Sequence, residues 1–178
     1  MERERKNDVF WTGLKTLIFT ALVPGTVTVL IPFRLLSSQP EAERLHSFPP
    51  QLLGVLAMSL GALGGSWCFW LFVAKGKGTP APIDPPKHLV VAGPYRHVRN
   101  PMYVAVTIIL LGESAFFCSN TLLVYAGLCF VAFNLFVRFY EEPALRKKFG
   151  PAYEEHCRNV PRWIPGSRKV TGRDEPPR

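Results

Sequence analysis

Four blocks of this 178-residue chain are apolar and nearly free of charge: 9–36, 51–74, 102–118 and 122–140. Each is close to the length of about 20 residues that a helix needs to cross a bilayer. Inside a bilayer no water is present to satisfy backbone N–H and C=O groups, so apolar runs of this length must be helical. The expected fold is therefore an all-α integral membrane protein of about four transmembrane helices. One domain over 1–165 is all that a chain of this length accommodates, with 166–178 polar, Pro-containing and expected to be disordered. The Ser119-Asn120-Thr121 connection is too short for anything but an antiparallel hairpin of the third and fourth helices.

Within the blocks, Pro24-Gly25 and Pro32 interrupt the first, which predicts a kinked helix or two unequal pieces. That block is too long for a signal-peptide core and has no A-x-A cleavage site, so it is expected to be retained. Ala57, Gly61 and Gly65 recur every four residues and give the second helix a small-residue face for close packing. Trp67 and Trp70 read as interface anchors, and Lys15 as a side chain that snorkels to the interface. Glu113 falls in the middle of the third block, where it is either functional or tied to Lys15 or Asn134.

The net charge of +8 is unevenly placed. Arg3, Arg5, Lys6 and Lys15, then Lys75, Lys77, Lys87, Arg96 and Arg99, then Arg138 and every later cation fall on one side of a four-span chain. Only Arg34 and Arg44 fall on the other, which puts both termini and the loop 75–100 on the cytoplasmic side. The same distribution suits anionic lipid headgroups, and no basic-aromatic module stands apart to bind nucleic acid. Cys68, Cys118, Cys129 and Cys157 have neither zinc nor redox spacing and read as small hydrophobes. His97 and His156 read as surface residues, so no metal site is expected.

The most constrained polar stretch is Gly93-Pro94-Tyr95-Arg96-His97-Val98-Arg99-Asn100-Pro101-Met102-Tyr103. Gly93-Pro94 reads as a turn. Asn100-Pro101 reads as a helix start, with Asn at the N-cap and Pro at the first helical position. Arg96 and Arg99 beside the free N–H groups of that start favour an anionic or zwitterionic group. The second polar cluster is Arg138-x-x-Glu141-Glu142, where Arg138, Glu141, Glu142 and Leu145 share a helical face. The hairpin sets the start of the third helix beside the end of the fourth, so cations and carboxylates meet in one cytoplasmic pocket. A ligand of both signs, such as the amino-acid end of S-adenosylmethionine, fits such a pocket. The plainer alternative is an i,i+4 ion pair of Arg138 with Glu142, worth a few tenths of a kcal/mol.

These residues resemble a known family. Leu89-Val90-x-x-Gly93-x-Tyr95-x-x-x-Arg99-Asn100-Pro101-x-Tyr103, followed by Arg138-x-x-Glu141-Glu142-x-x-Leu145 and Phe149-Gly150-x-x-Tyr153, is similar to the paired blocks of membrane methyltransferases. These include isoprenylcysteine carboxyl methyltransferase and phospholipid methyltransferases. The resemblance covers roughly 78–165. It implies methyl transfer from S-adenosylmethionine to a lipophilic or small acceptor, with membrane lipids as partners. It also implies a cofactor site of Lys87, His88, Leu89, Val90, Tyr95, Asn100, Pro101, Met102, Tyr103 and Glu142. By the same resemblance Arg138 is associated with the acceptor; an amine acceptor would need deprotonation, for which Glu141 or His97 is a candidate, and Arg99 is a further candidate for catalysis. Asn100 stands where the carboxyl methyltransferases carry His, and Lys87 where they often carry one; Asn caps a helix but is no general base. Two other readings remain: an NADPH-dependent membrane reductase on a similar scaffold, for which Arg96 and Lys87 give a thin basic cluster, and a non-catalytic scaffold or lipid-binding protein.

Overall fold

The computed structural model describes residues 18, 22–38, 48–76 and 88–165. The charged start, Lys15, the connections 39–47 and 77–87 with Lys87, and the tail 166–178 lie outside the described residues. Five helices carry the fold: α1 (Leu22–Ser37), α2 (Phe48–Leu71), α3 (Pro101–Phe116), α4 (Asn120–Phe149) and α5 (Pro151–Asn159). A 3₁₀ turn, Gly93–Arg96, precedes α3, and no strand occurs among the described residues.

Two segments are long and apolar enough to cross a membrane, Pro50–Ala74 and Asn120–Phe149. Their outward faces leave Leu53, Leu56, Leu60 and Leu63 on α2, and Val124, Leu128, Val131 and Phe139 on α4, bare. Exposed apolar surface this continuous is what a helix presents to lipid. α1 and α3 are apolar but shorter. The 16 residues of α3 rise about 24 Å at 1.5 Å each, against a hydrocarbon core of about 30 Å.

α2 and α3 pack antiparallel and close, because small residues let their backbones meet. A Cβ placed on Gly54 would lie 2.6 Å from the Gly112 carbonyl oxygen, and one on Gly61 would lie 2.7 Å from that of Ala105. Gly65 faces the Ala105 methyl, and a Cβ on Gly112 would meet Met58 at 2.8 Å. The expected Gly61/Gly65 face is thus the seam, extended by Gly54 and answered from α3 by Gly112 and Ala105. This pairing sets the C-terminal end of α2 beside the start of α3, where Gly93, at φ +55°, tucks its backbone against Leu71 and Trp67.

Proline explains two further features. Pro32 and Pro143 cannot donate to the carbonyl four residues back, and each lies just past a widened π turn, Thr26–Leu30 and Val137–Glu141. At the second of these the Glu142 N–H reaches back to the Val137 oxygen, five residues away. α1 therefore continues through both interruptions instead of breaking, and the Tyr125 hydroxyl donates to the Val27 oxygen (3.0 Å), joining α4 to α1.

The turn into α4 sits earlier than the spacing predicts. α3 ends at Phe116, Cys118 takes φ +48°, and Ser119 caps α4 by accepting from the Leu122 N–H at 3.3 Å. Glu113 is consequently in the last turn of α3, its carbonyl accepting from the Phe117 N–H, and not at mid-span. Its Oε2 is buried without a hydrogen-bond partner among the described residues, and Asn134 is engaged elsewhere.

The seam yields a direct contrast. Gly54→Ala should destabilise the chain by about 1–3 kcal/mol, the usual range for overpacking. Gly64→Ala, with open space around it, should be neutral or stabilising by up to about 1 kcal/mol. Thermal unfolding of the two variants in the same detergent checks this.

Candidate active site

The start of α3 and the far end of α4 meet, as the hairpin requires. Glu142 is the centre of the contact and is 5% exposed. Its Oε1 accepts from Arg99 Nη1 at 3.0 Å and from Arg162 Nε at 2.8 Å, and its Oε2 accepts from Arg162 Nη2 at 2.9 Å. Two guanidinium groups around one carboxylate leave the cluster with an excess positive charge. These bonds to Glu142 hold Arg162 more firmly protonated than an ordinary arginine. Arg99 Nη1 also donates to Cys157 Sγ at 2.9 Å, while Arg99 Nε is buried with no acceptor among the described residues.

The segment Val160-Pro161-Arg162-Trp163, which follows α5, is laid across the start of α3 as a strap. The Arg99 N–H donates to the Pro161 oxygen (2.9 Å), Asn100 Nδ2 to the Arg162 oxygen (3.2 Å) and Trp163 Nε1 to Asn134 Oδ1 (3.2 Å). The Trp163 ring sits among Phe130 and Tyr103, at 5.2 and 6.5 Å between centroids. Asn100 therefore does not cap α3 with its side chain, contrary to its expected role. Its carbonyl accepts the first helical bond, from Val104, while its amide ties down the strap.

Beside the ion cluster, the Tyr103 hydroxyl donates to Glu141 Oε2 at 2.9 Å, and the Tyr103 ring leans on Phe133 at 5.0 Å. Glu141 and Glu142, neighbours in sequence, thus take different partners, Tyr103 in the first turn of α3 and Arg99 just before it, with Arg162 of the strap also on Glu142. Under the loop before α3, Val90, Ala92 and Tyr95 are buried with Cys68 and Leu71, and Phe72 and Met102 pack against them. Burial holds the Tyr95 phenol protonated well above its ordinary range, helped by the neighbouring Cys68.

The structure thus gathers Arg99, Asn100, Pro101, Tyr103, Glu141 and Glu142 into one locus, with Val90, Tyr95 and Met102 in the apolar cluster alongside. His88 is exposed and Leu89 half-buried. Arg138 is exposed and lies over the Phe139 ring, 5.9 Å from its centroid. The alternative Arg138–Glu142 ion pair does not form, because the π turn shifts the register between them and two other guanidinium groups claim the carboxylate. Arg162, Trp163, Cys157 and Asn134 are the residues that spacing did not reveal; Val160–Pro165 reads only as the end of the ordered chain. His156, expected at the surface, is buried, and burial together with the charge of Arg99 lowers its pKa. Among the described residues no His/Cys/Asp/Glu group is able to hold a metal ion.

A family model described as phospholipid methyltransferase matches residues 50–152, more than half of the chain. The chain belongs to the phospholipid methyltransferase family. Membership implies a methyltransferase, and with the two apolar helices it marks the chain as membrane-associated. No curated protein and no solved structure matches it.

Two outcomes follow from this geometry. Glu142→Leu strands two guanidinium groups and should cost about 3 kcal/mol in unfolding measurements, the low end for a broken buried pair because Arg162 can relax toward water. His156 is neutral in the fold and its folded pKa lies below the ordinary 6.5. Its contribution is therefore complete above pH 6.5 and is lost as the pH falls through the depressed folded value, since the unfolded chain takes up the proton first. Stability of the wild type should fall more steeply across that acid range than stability of His156→Phe.

Proposed function

We propose that the chain transfers a methyl group from S-adenosylmethionine to a lipophilic or small acceptor at the membrane, with a lipid headgroup favoured by the family's description. The observation that carries this reading is the buried cluster of Arg99, Glu142 and Arg162 between α3, α4 and the strap. It contains a donor with no acceptor, Arg99 Nε, beside a carboxylate with acceptor capacity to spare. The amino-acid end of S-adenosylmethionine carries the two complements, a carboxylate and an ammonium, so the residues present fit the group. When bound, S-adenosylmethionine supplies an electrophilic methyl on a sulfonium.

Arg99 would take the carboxylate and Glu142 the ammonium. Leu89, Val90, Tyr95, Pro101 and Met102 would wall the nucleoside, with Asn100 and Tyr103 at the helix start and His88 at the loop edge; Lys87 is a further candidate by the resemblance alone. Transfer to a carboxylate or thiolate neutralises charge, and transfer to an amine moves the positive charge from sulfur to nitrogen, so alignment and exclusion of water are the main requirements. The apolar cluster under the loop and the Trp163 ring serve the second. If the acceptor is an amine, Glu141, held by Tyr103, is placed to receive its proton; Arg138, exposed beside the lipid-facing Phe139, is placed to orient an anionic acceptor group. The charge distribution favours a multi-pass arrangement with the site and both termini on the cytoplasmic side.

Isothermal titration of the purified chain should show binding of S-adenosylhomocysteine and none of NADPH. Glu142→Gln, which keeps the side-chain volume, should weaken that binding at least about tenfold, as expected for a charged hydrogen bond. NADPH binding alone would favour a reductase, and binding of neither would favour a scaffold. Incubating membranes with methyl-labelled cofactor should place the label in an extractable lipid or small molecule.

A further inference from the structure

We infer that Arg162 is a positioning residue of the site, aiming the Glu142 carboxylate at the cofactor's ammonium, so that the strap 160–163 is a working part of the catalytic unit. This rests on the S-adenosylmethionine reading above. Arg162 lies beyond residues 50–152 matched by the family model, and none of the motifs that carry the resemblance includes it.

The geometry of the carboxylate carries the inference. Arg99 contacts Oε1 alone, through one nitrogen. A single contact leaves the carboxylate free to turn about its last torsion. Arg162 grips both oxygens with Nε and Nη2, at 2.8 and 2.9 Å. A two-point fork of this kind fixes the plane of the carboxylate as a point charge does not. A carboxylate offers about four lone-pair positions. Oε1 accepts from two donors and Oε2 from one, so the acceptor position left over belongs to Oε2. Arg99 thereby leaves Oε2 as the oxygen that meets a further donor, and the Arg162 fork fixes the plane in which that oxygen is presented. Its own place is set independently of Glu142: Asn100 Nδ2 holds its carbonyl, Arg99 N–H holds the carbonyl before it, and Trp163 is pinned after it. A segment anchored on both sides of one arginine is a mount for that arginine.

The test compares S-adenosylhomocysteine with its analogue lacking the α-ammonium, by titration of the full chain in detergent. The wild type should prefer the parent compound by about tenfold or more. In Arg162→Met the parent should bind at least about tenfold more weakly, while the analogue, which makes no use of Glu142, keeps its affinity. The preference then falls toward one. Arg162→Lys, which keeps the charge and guards against misfolding of the first variant, should still lose part of the preference because an ammonium does not bridge both oxygens. A preference unchanged in either variant overturns the inference, as does equal weakening for both compounds, the signature of a merely structural strap. Tighter binding of the parent compound in Arg162→Met would make the arginine a competitor and overturn it too. Failure of the wild type to bind S-adenosylhomocysteine would remove the underlying reading and this inference together.

Discussion

A carboxylate buried at the end of a largely apolar helix is tolerable only if its charge is met, and Glu142 is met twice. Its partners come from Arg99, 43 residues earlier, and Arg162, 20 residues later. One side chain therefore decides how the start of α3, the end of α4 and the strap are placed relative to each other. Removing water from three charged groups is expensive, and the return lies in mutual hydrogen bonds that none of the three finds alone. Around this contact the polar residues of the chain sort themselves. Tyr103 takes Glu141, Asn100 takes the strap, and Trp163 takes Asn134.

Two backbone devices bring the partners into range. Glycines at positions 54, 61 and 112 let α2 and α3 approach at backbone distance, which sets where the loop before α3 returns to the helices. Pro143, by denying the helix a donor, is accompanied by the widened turn Val137–Glu141, and this turn sets the angle at which Glu141 and Glu142 leave α4. Neither device makes any chemistry itself. Each fixes a position from which a charged side chain reaches its partner, which is how an apolar scaffold supports a polar site.

Much of this was legible in the residues. Helical blocks, the antiparallel hairpin, the Gly61/Gly65 seam and the meeting of the 99–103 and 141–142 clusters all follow from local rules of length, spacing and turn chemistry. The resemblance to the family rests on the same two clusters. What was not legible depends on competition between distant groups. An Asn before Pro reads as a cap, yet its amide is drawn off by the Arg162 carbonyl. Arg138 and Glu142 read as an ion pair, yet a widened turn and two better donors separate them. His156 looks like a surface residue, yet it is buried within reach of the Arg99 charge. Glu113 looks central until the helix ends early at Phe116. Arg162 lies in a short proline-bounded segment whose sequence gives no hint of a partner 20 residues back.

The central claim is that one nucleoside is held where α3 begins, α4 ends and the strap crosses. Photolabelling the intact chain with an azido-adenosyl derivative of S-adenosylhomocysteine, followed by peptide mapping, tests it most directly. The account predicts label confined to 88–103, 138–142 and 160–163, competed away by unmodified S-adenosylhomocysteine. Competable label on the α3–α4 turn around Ser119, at the opposite end of those helices, would contradict it.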